Sequence, residues 1–120
     1  MALSGFPARA HVRGSDELWE HCRNSLGIAR LLHHEGRPDP LVSTACRLAV
    51  ETACRAALEQ TGIEYDGDLE MALARLGAPR DMWELQQGGP AGRRLASAER
   101  AVAWFASYLR HVAPGRSWGY

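Results

Sequence analysis

The chain has 120 residues, of which 46% are hydrophobic and 23% are charged, a composition that excludes disorder of the whole and suits one folded domain. Its formal net charge is zero, so it lacks the basic surplus expected of a general nucleic-acid-binding protein. All 14 basic residues are arginine, a bias that we attribute to a GC-rich bacterial genome.

Cysteine content and hydropathy indicate where the protein resides. The cysteines, Cys22, Cys46 and Cys54, are odd in number and stand among apolar neighbours, as buried free thiols of a reducing compartment do. Residues 1–14 contain no apolar run of signal-peptide length, and no stretch approaches the roughly 18 apolar residues of a membrane span. The sequence therefore predicts a cytoplasmic protein without a membrane segment.

The first part of the chain predicts a loose arm and then a helix. Residues 1–14 are aperiodic and contain glycine, proline and arginine, so we expect a flexible N-terminal arm. Ser15 is the expected N-cap of a first helix, and the spacing of Leu18, Cys22, Ala29 and Leu32 predicts that helix to end near 36.

A second helix is predicted over 39–60, between a cap at Asp39 followed by Pro40 and a stop at Gly62. Its apolar residues are mostly alanine and cysteine, and they lie on more than one face. Such a helix is typical of the centre of a bundle, because small side chains let neighbouring helices approach closely.

Two further helices and a short piece complete the predicted bundle. A short third helix follows Asp68 and stops at Gly77, an additional short helix lies around 79–87, and the last helix covers 91–112. We therefore predict an all-α, up-and-down four-helix bundle with an additional short helix, in which 15–112 form the domain and 113–120 a C-terminal tail.

The sequence contains no pattern that requires a metal, a cofactor or a covalent catalytic step. His33 and His34 are adjacent rather than three or four residues apart, and His21 is three turns away, so they do not form a helical metal pair. No nucleophile signature such as G-x-S-x-G occurs. We predict no catalytic residues, no metal ligands and no cofactor.

Charged residues on two helices are the candidates for ligand binding. Arg47, Glu51 and Arg55 recur every four residues on the second helix, either as a solvated i,i+4 ion-pair stripe or as a groove or dimer contact. Arg93 and Arg94 follow the glycine-rich stretch 88–92 at the start of the last helix. Free amides at that helix end would favour an anion, whereas a flexible connector with acidic neighbours is the plainer interpretation.

The second helix resembles that of the HEPN family, small helical bundles often found beside minimal nucleotidyltransferases. The resemblance rests on the segment 49–58, which is rich in alanine and has a central Glu51 and Arg55 four residues later. The order of the short third helix and the long last helix is similar to that family as well. The resemblance covers roughly 15–112 and implies a helical bundle that frequently pairs into homodimers.

The sequence departs from the catalytic members of the family that it resembles. RNase members carry an arginine with a histidine four to six residues later; here Arg80 is followed at that distance by Gln86 rather than histidine. The resemblance therefore implies a non-catalytic nucleotide- or substrate-binding module, or the partner of a nucleotidyltransferase. A protein–protein adaptor or dimeric structural bundle without a small ligand, with an apolar surface around Trp83, Trp104 or Trp118, is the alternative. The candidate ligand-binding residues are Arg47, Glu51, Arg55, Arg80, Arg93 and Arg94.

Overall fold

The computed structural model describes residues 6–79 and 90–120, which form four helices and no strand. They are α1 (Phe6–His34), α2 (Asp39–Thr61), α3 (Leu69–Arg75) and α4 (Ala91–Val112). The predicted all-α helical bundle is confirmed, and α4 has the predicted bounds. Most of the additional short helix predicted around 79–87 lies outside the described residues.

Helix α2 is the central element, as its composition predicts. It packs against α1 and α4 and also contacts α3. Seven of its buried residues are small: Ala45, Cys46, Ala49, Ala53, Cys54, Ala56 and Ala57. These side chains leave room for close helix approach on more than one face, so α2 is buried between its neighbours rather than on one stripe only.

The two ends of α2 differ slightly from the prediction. The N-cap is Pro38 rather than Asp39, and no side chain makes a capping hydrogen bond there. At the other end Gly62 adopts φ 75°, and its amide donates to the carbonyl of Leu58. Glycine enters this left-handed conformation without steric cost, which explains why the helix stops there.

Helix α1 begins earlier than predicted, and the assignment of Ser15 as its N-cap is wrong. The helix starts at Phe6, so Pro7 occupies its first turn, where proline costs little because that amide has no intrahelical acceptor. Ser15 lies inside the helix and is fully buried, with its hydroxyl oxygen without a hydrogen-bond partner. The stripe of buried residues, which includes Trp19, Cys22 and Leu26, therefore extends backwards through Ser15.

Helices α1 and α4 run antiparallel. Arg30 donates to Glu99 at 2.8 Å, and Arg116 donates to Asp16 at 2.6 Å, so late residues of α1 meet early residues of α4. The short connection 35–38 makes α1 and α2 antiparallel as well. The α1–α2 connection and the start of α4 therefore lie at one end of the bundle, which we call the turn end.

The C-terminal tail packs against α1. Trp118 is only 2% exposed, and its ring meets that of Trp19 edge to face at 5.8 Å between centroids. The indole nitrogen of Trp19 donates to the carbonyl of Gly119 at 2.8 Å. Together with the Arg116–Asp16 ion pair, these contacts anchor the residues after α4 to the first half of α1.

The acidic stretch before α3 has local structural roles. Asp68 is the N-cap of α3, and its carboxylate accepts from the amide of Met71 at 3.1 Å. The carboxylate of Asp66 accepts from the amide of Asp68 at 3.0 Å. These bonds satisfy amides that a helix start leaves free, which explains why aspartate stands at both positions.

Candidate functional site

The start of α4 presents positive charge at an uncapped helix end. Its N-cap is Pro90, no side chain makes a capping hydrogen bond, and no acidic residue lies in the first turn. Arg93 is exposed and Arg94 is half-buried in that turn. Each cation opposes the helix macrodipole at a cost of about 0.3–1 kcal/mol, which an anion bound there would reverse.

His33 of α1 lies against this helix start, a contact that its position in the sequence does not reveal. A Cβ atom placed on Gly92 would lie 3.4 Å from Cε1 and from Nε2 of His33, so the imidazole ring packs over the Gly92 backbone. An exposed nitrogen-containing ring is thereby placed beside the residue that precedes Arg93.

Arg47 is exposed on α2, next to the buried Cys46. Arg94 acts electrostatically on the thiol of Cys46, the residue before Arg47, so its guanidinium lies alongside that turn of α2. The structure therefore places Arg93 and Arg94 at the turn end, whereas no contact joins the exposed Arg47 to either of them within the described residues. Arg80, the fourth predicted arginine of this group, lies outside the described residues.

None of these three arginines has an ion-pair partner within the described part of the chain. Arg30 pairs with Glu99, Arg37 with Glu35 and Arg116 with Asp16, whereas the exposed Arg75 and Arg110 resemble Arg93 and Arg94 in having no ion pair among the described residues. The acidic residues that follow Arg80 in sequence, Asp81 and Glu84, lie outside the described residues. Among the described residues, the turn end thus has cationic side chains that no carboxylate neutralises.

Glu51 and Arg55 are part of a different contact, and they do not form the predicted ion pair. The carboxylate of Glu51 accepts from the hydroxyl of Tyr65 at 3.0 Å. The guanidinium of Arg55 lies 5.8 Å from the centroid of the Tyr65 ring, within cation–π range. These two residues hold the loop after α2 in place through their contacts with Tyr65.

Burial and the hydrogen bond to Glu51 raise the pKa of Tyr65 to about 12. Burial removes water that would solvate the phenolate, and a neighbouring carboxylate disfavours a second negative charge. Tyr65, Arg55, Leu58 and Glu64 also line a cavity of about 250 Å³. Since Tyr65 is held neutral and hydrogen-bonded, it is a structural group rather than a base.

A second cavity, of about 330 Å³, lies where the C-terminal tail meets α1. Asp16, Glu20, Arg23 and Arg116 line it together with the two tryptophans. Its two acidic and two basic residues balance, and Asp16 and Arg116 already pair with each other. The lining therefore selects no particular charge of ligand.

The cysteines are free and buried, as predicted. Burial raises the pKa of Cys22 and of Cys54 to about 12 and also raises the pKa of Cys46. A buried thiol with a raised pKa is neither a nucleophile nor a ready metal ligand at neutral pH. Over the residues that the structure describes, no cluster of three histidine, cysteine or acidic residues could hold a metal ion.

Among the described residues, several large exposed apolar side chains lie on α1 and α2 rather than beside Trp104 or Trp118. Trp118 is buried, so its predicted role in an exposed adaptor surface is wrong. Trp104 stacks on Tyr108 with ring centroids 5.4 Å apart, and both are half-buried against the core. Trp83 lies outside the described residues. The largest exposed aliphatic side chains on the long helices are instead Ile28, Leu31, Leu41 and Leu48.

No family model, no curated protein and no solved structure matches this chain. None of the described helices is both long and apolar enough to cross a lipid bilayer.

Proposed function

We propose that this chain is a non-catalytic, HEPN-like binding module that holds a phosphate-bearing ligand at its turn end. The observation that supports this most directly is the uncapped start of α4, where Arg93 and Arg94 oppose the helix macrodipole without a described acidic partner. His33 borders the same surface from α1, where its ring packs against Gly92.

The chemistry of the turn end matches the groups of a phosphate. Backbone amides in the first turn of α4 point out of the helix, and guanidinium groups bind phosphate oxygens through paired N–H donors. Because residue 92 is glycine, the His33 ring can lie against the backbone at the start of α4. A nucleotide or the phosphate backbone of a short RNA would fit this description.

The module works without catalysis of its own under this proposal. Of the RNase pattern, only Arg80 is present in sequence, and the histidine that would serve as its acid or base is replaced by glutamine. The ligand is therefore bound for use by another protein, for which a nucleotidyltransferase is the candidate that the HEPN resemblance implies.

Calorimetry on the full chain with ATP, GTP, a short RNA and inorganic phosphate tests the proposal. We expect at least one ligand to bind, and we expect Arg93→Ala/Arg94→Ala to weaken it tenfold or more, since each hydrogen bond to a charged group contributes about 1.5–3 kcal/mol. The matched control is Arg75→Ala/Arg110→Ala, which removes the same charge from exposed sites at other helix ends and should change affinity little.

Two calorimetric results would contradict the proposal that the turn end binds phosphate. If no ligand gives heat, or if the control weakens binding as much as the turn-end variant, the phosphate proposal is wrong. The RNA recovered from the calorimeter after the titration should be intact. If the wild type cleaves this RNA and Arg80→Ala does not, the module is catalytic.

An adaptor role is the second candidate, and one observation favours it specifically. Four large aliphatic side chains on α1 and α2, those of Ile28, Leu31, Leu41 and Leu48, are each about half exposed. This role requires no ligand at the turn end and would survive a negative calorimetric result.

A further inference from the structure

We propose that the cavity between the C-terminal tail and α1 binds a free α-amino acid in its zwitterionic form. This cavity, which we call the tail cavity, has a volume of about 330 Å³ and is lined by residues that include Asp16, Trp19, Glu20, Arg23, Arg116 and Trp118. None of them belongs to the turn end, so the proposal does not depend on the phosphate-bearing ligand proposed there.

The tail cavity contains one pair of opposite charges that the fold uses and one pair that it does not. Arg116 donates to the carboxylate of Asp16 at 2.6 Å, so these two charges neutralise each other. Glu20 and Arg23 are exposed, and within the described part of the chain neither forms an ion pair with the other or with a third residue. A carboxylate and a guanidinium are therefore both available to a ligand.

The spacing of Glu20 and Arg23 favours a ligand that carries both charges. They are three residues apart on α1, so their side chains begin on one face of the helix, with Cβ atoms about 5–6 Å apart. A ligand with a single charge would pair with one of them and be repelled by the other. The ammonium and carboxylate of an α-amino acid are attached to the same carbon, so one small molecule can pair with both.

The two tryptophans present carbon surface to the ligand rather than hydrogen-bond donors. The indole nitrogen of Trp19 donates to the carbonyl of Gly119 at 2.8 Å, and that of Trp118 donates to the carbonyl of Ala113 at 3.2 Å. Both donors are thus used within the fold, and the rings are fixed edge to face. An aliphatic side chain suits this part of the lining, whereas the charged groups of the ligand suit Glu20 and Arg23.

The volume and the position of the tail cavity limit the ligand and predict its effect. A volume of about 330 Å³ is at the lower end of the range of small-molecule sites, roughly 300–1,000 Å³, which suits an amino acid better than a larger cofactor. The lining comes from both α1 and the tail, so a bound ligand contacts both. Binding should therefore stabilise the folded chain with its tail docked, by mass action.

Nuclear magnetic resonance of the full, nitrogen-15-labelled chain tests the proposal. We expect glycine, L-alanine or L-leucine at millimolar concentrations to shift the indole N–H signals of Trp19 and Trp118 and to saturate them. N-acetyl-L-leucine lacks the ammonium charge, and L-leucine amide lacks the carboxylate. We expect neither of these single-charge analogues to give a saturable shift at the same concentrations, because each meets one like charge in the cavity.

Variants of the two unpaired residues locate the binding. Glu20→Gln and Arg23→Gln should each weaken binding about tenfold, because each replaces a hydrogen bond between charged groups by a weaker one. The matched control is Glu35→Gln/Arg37→Gln, which removes an exposed carboxylate and guanidinium from the α1–α2 connection and should leave the affinity unchanged. Circular dichroism of each variant verifies that the helices are retained.

Three results would overturn the proposal. They are the absence of a saturable shift with all three amino acids, equal shifts with a single-charge analogue, and a loss of affinity in the control that matches the loss in the cavity variants. Phosphate calorimetry at the turn end is unaffected by any of them, so the two proposals fail separately.

Discussion

At the scale of single residues, Tyr65 shows how one side chain ties a loop to the central helix. Its hydroxyl donates to Glu51, and the guanidinium of Arg55 covers its ring. Both α2 residues belong to the charged stripe visible in the sequence, which therefore positions the α2–α3 connection. The half-burial of Tyr65 is what makes its phenol titrate late.

We expect Tyr65→Phe to remove the late step from an ultraviolet titration of the three tyrosines. In the wild type, Tyr65 should ionise near its folded pKa of about 12, later than an unperturbed phenol at about 10. Tyr65 then stabilises the fold below pH 10, and this contribution is lost as the pH rises towards 12, because the unfolded state releases its proton first. The variant should lose less stability than the wild type between these pH values.

Urea unfolding at pH 8 and pH 11 measures this difference. Tyr120→Phe, at an exposed residue, is the control and should retain the late step in the titration. A late step that persists in Tyr65→Phe would assign the raised pKa to another group.

At the scale of helices, replacing either of two glycines by alanine should change the stability in opposite directions, although the added Cβ atom would have free space at both positions. Gly62 ends α2 at φ 75°, whereas Gly27 lies within α1. Nothing stands within 4 Å of an added Cβ at either residue, so packing does not distinguish them. The backbone conformation alone decides the sign of a substitution.

We expect Gly62→Ala to lower the free energy of unfolding by about 1 kcal/mol, because alanine is strained in the left-handed region. Gly27→Ala should raise it by about 0.5–1 kcal/mol, since alanine restricts the unfolded chain and favours helix. Thermal unfolding of both variants at one protein concentration checks the pair. Two shifts of the same sign would contradict the helix assignments at one of these positions.

At the scale of the whole molecule, the C-terminal tail stabilises the bundle because it packs against α1, the first helix of the chain. Trp19 and Gly119 are 100 residues apart and joined by a hydrogen bond, and Trp118 fills the space beside α1. This contact links α1 to the residues after α4.

Trp118→Ala should cost about 3 kcal/mol or more, because it removes a buried aromatic side chain and leaves a cavity beside Trp19. Tyr120→Ala, two residues later at a 50% exposed position, should change stability by less than about 0.5 kcal/mol. Urea unfolding followed by circular dichroism compares them. Equal stability of the two variants would mean that the tail does not pack as described.

The sequence by itself determined the helical class, the bounds of α4, the C-terminal stop of α2 and the capping of α3. These depend on local properties: apolar spacing, the conformational freedom of glycine and the capping ability of aspartate. It also predicted that α2 is central, because alanine and cysteine occupied several of its faces. The start of α1 was misplaced, since composition gave no sign that Ser15 would be buried.

Only the tertiary structure decided which side chains meet across the bundle. Three contacts join residues that are distant in sequence. His33 packs against Gly92, Glu51 and Arg55 each contact Tyr65 rather than each other, and Trp118 is buried beside Trp19. Periodicity gives the face on which a residue lies, but not whether a neighbouring element covers that face. For this reason the sequence could only name the arginines as candidates, whereas the packed helices show that Arg55 lies against Tyr65 and that Arg93 and Arg94 lie at the turn end.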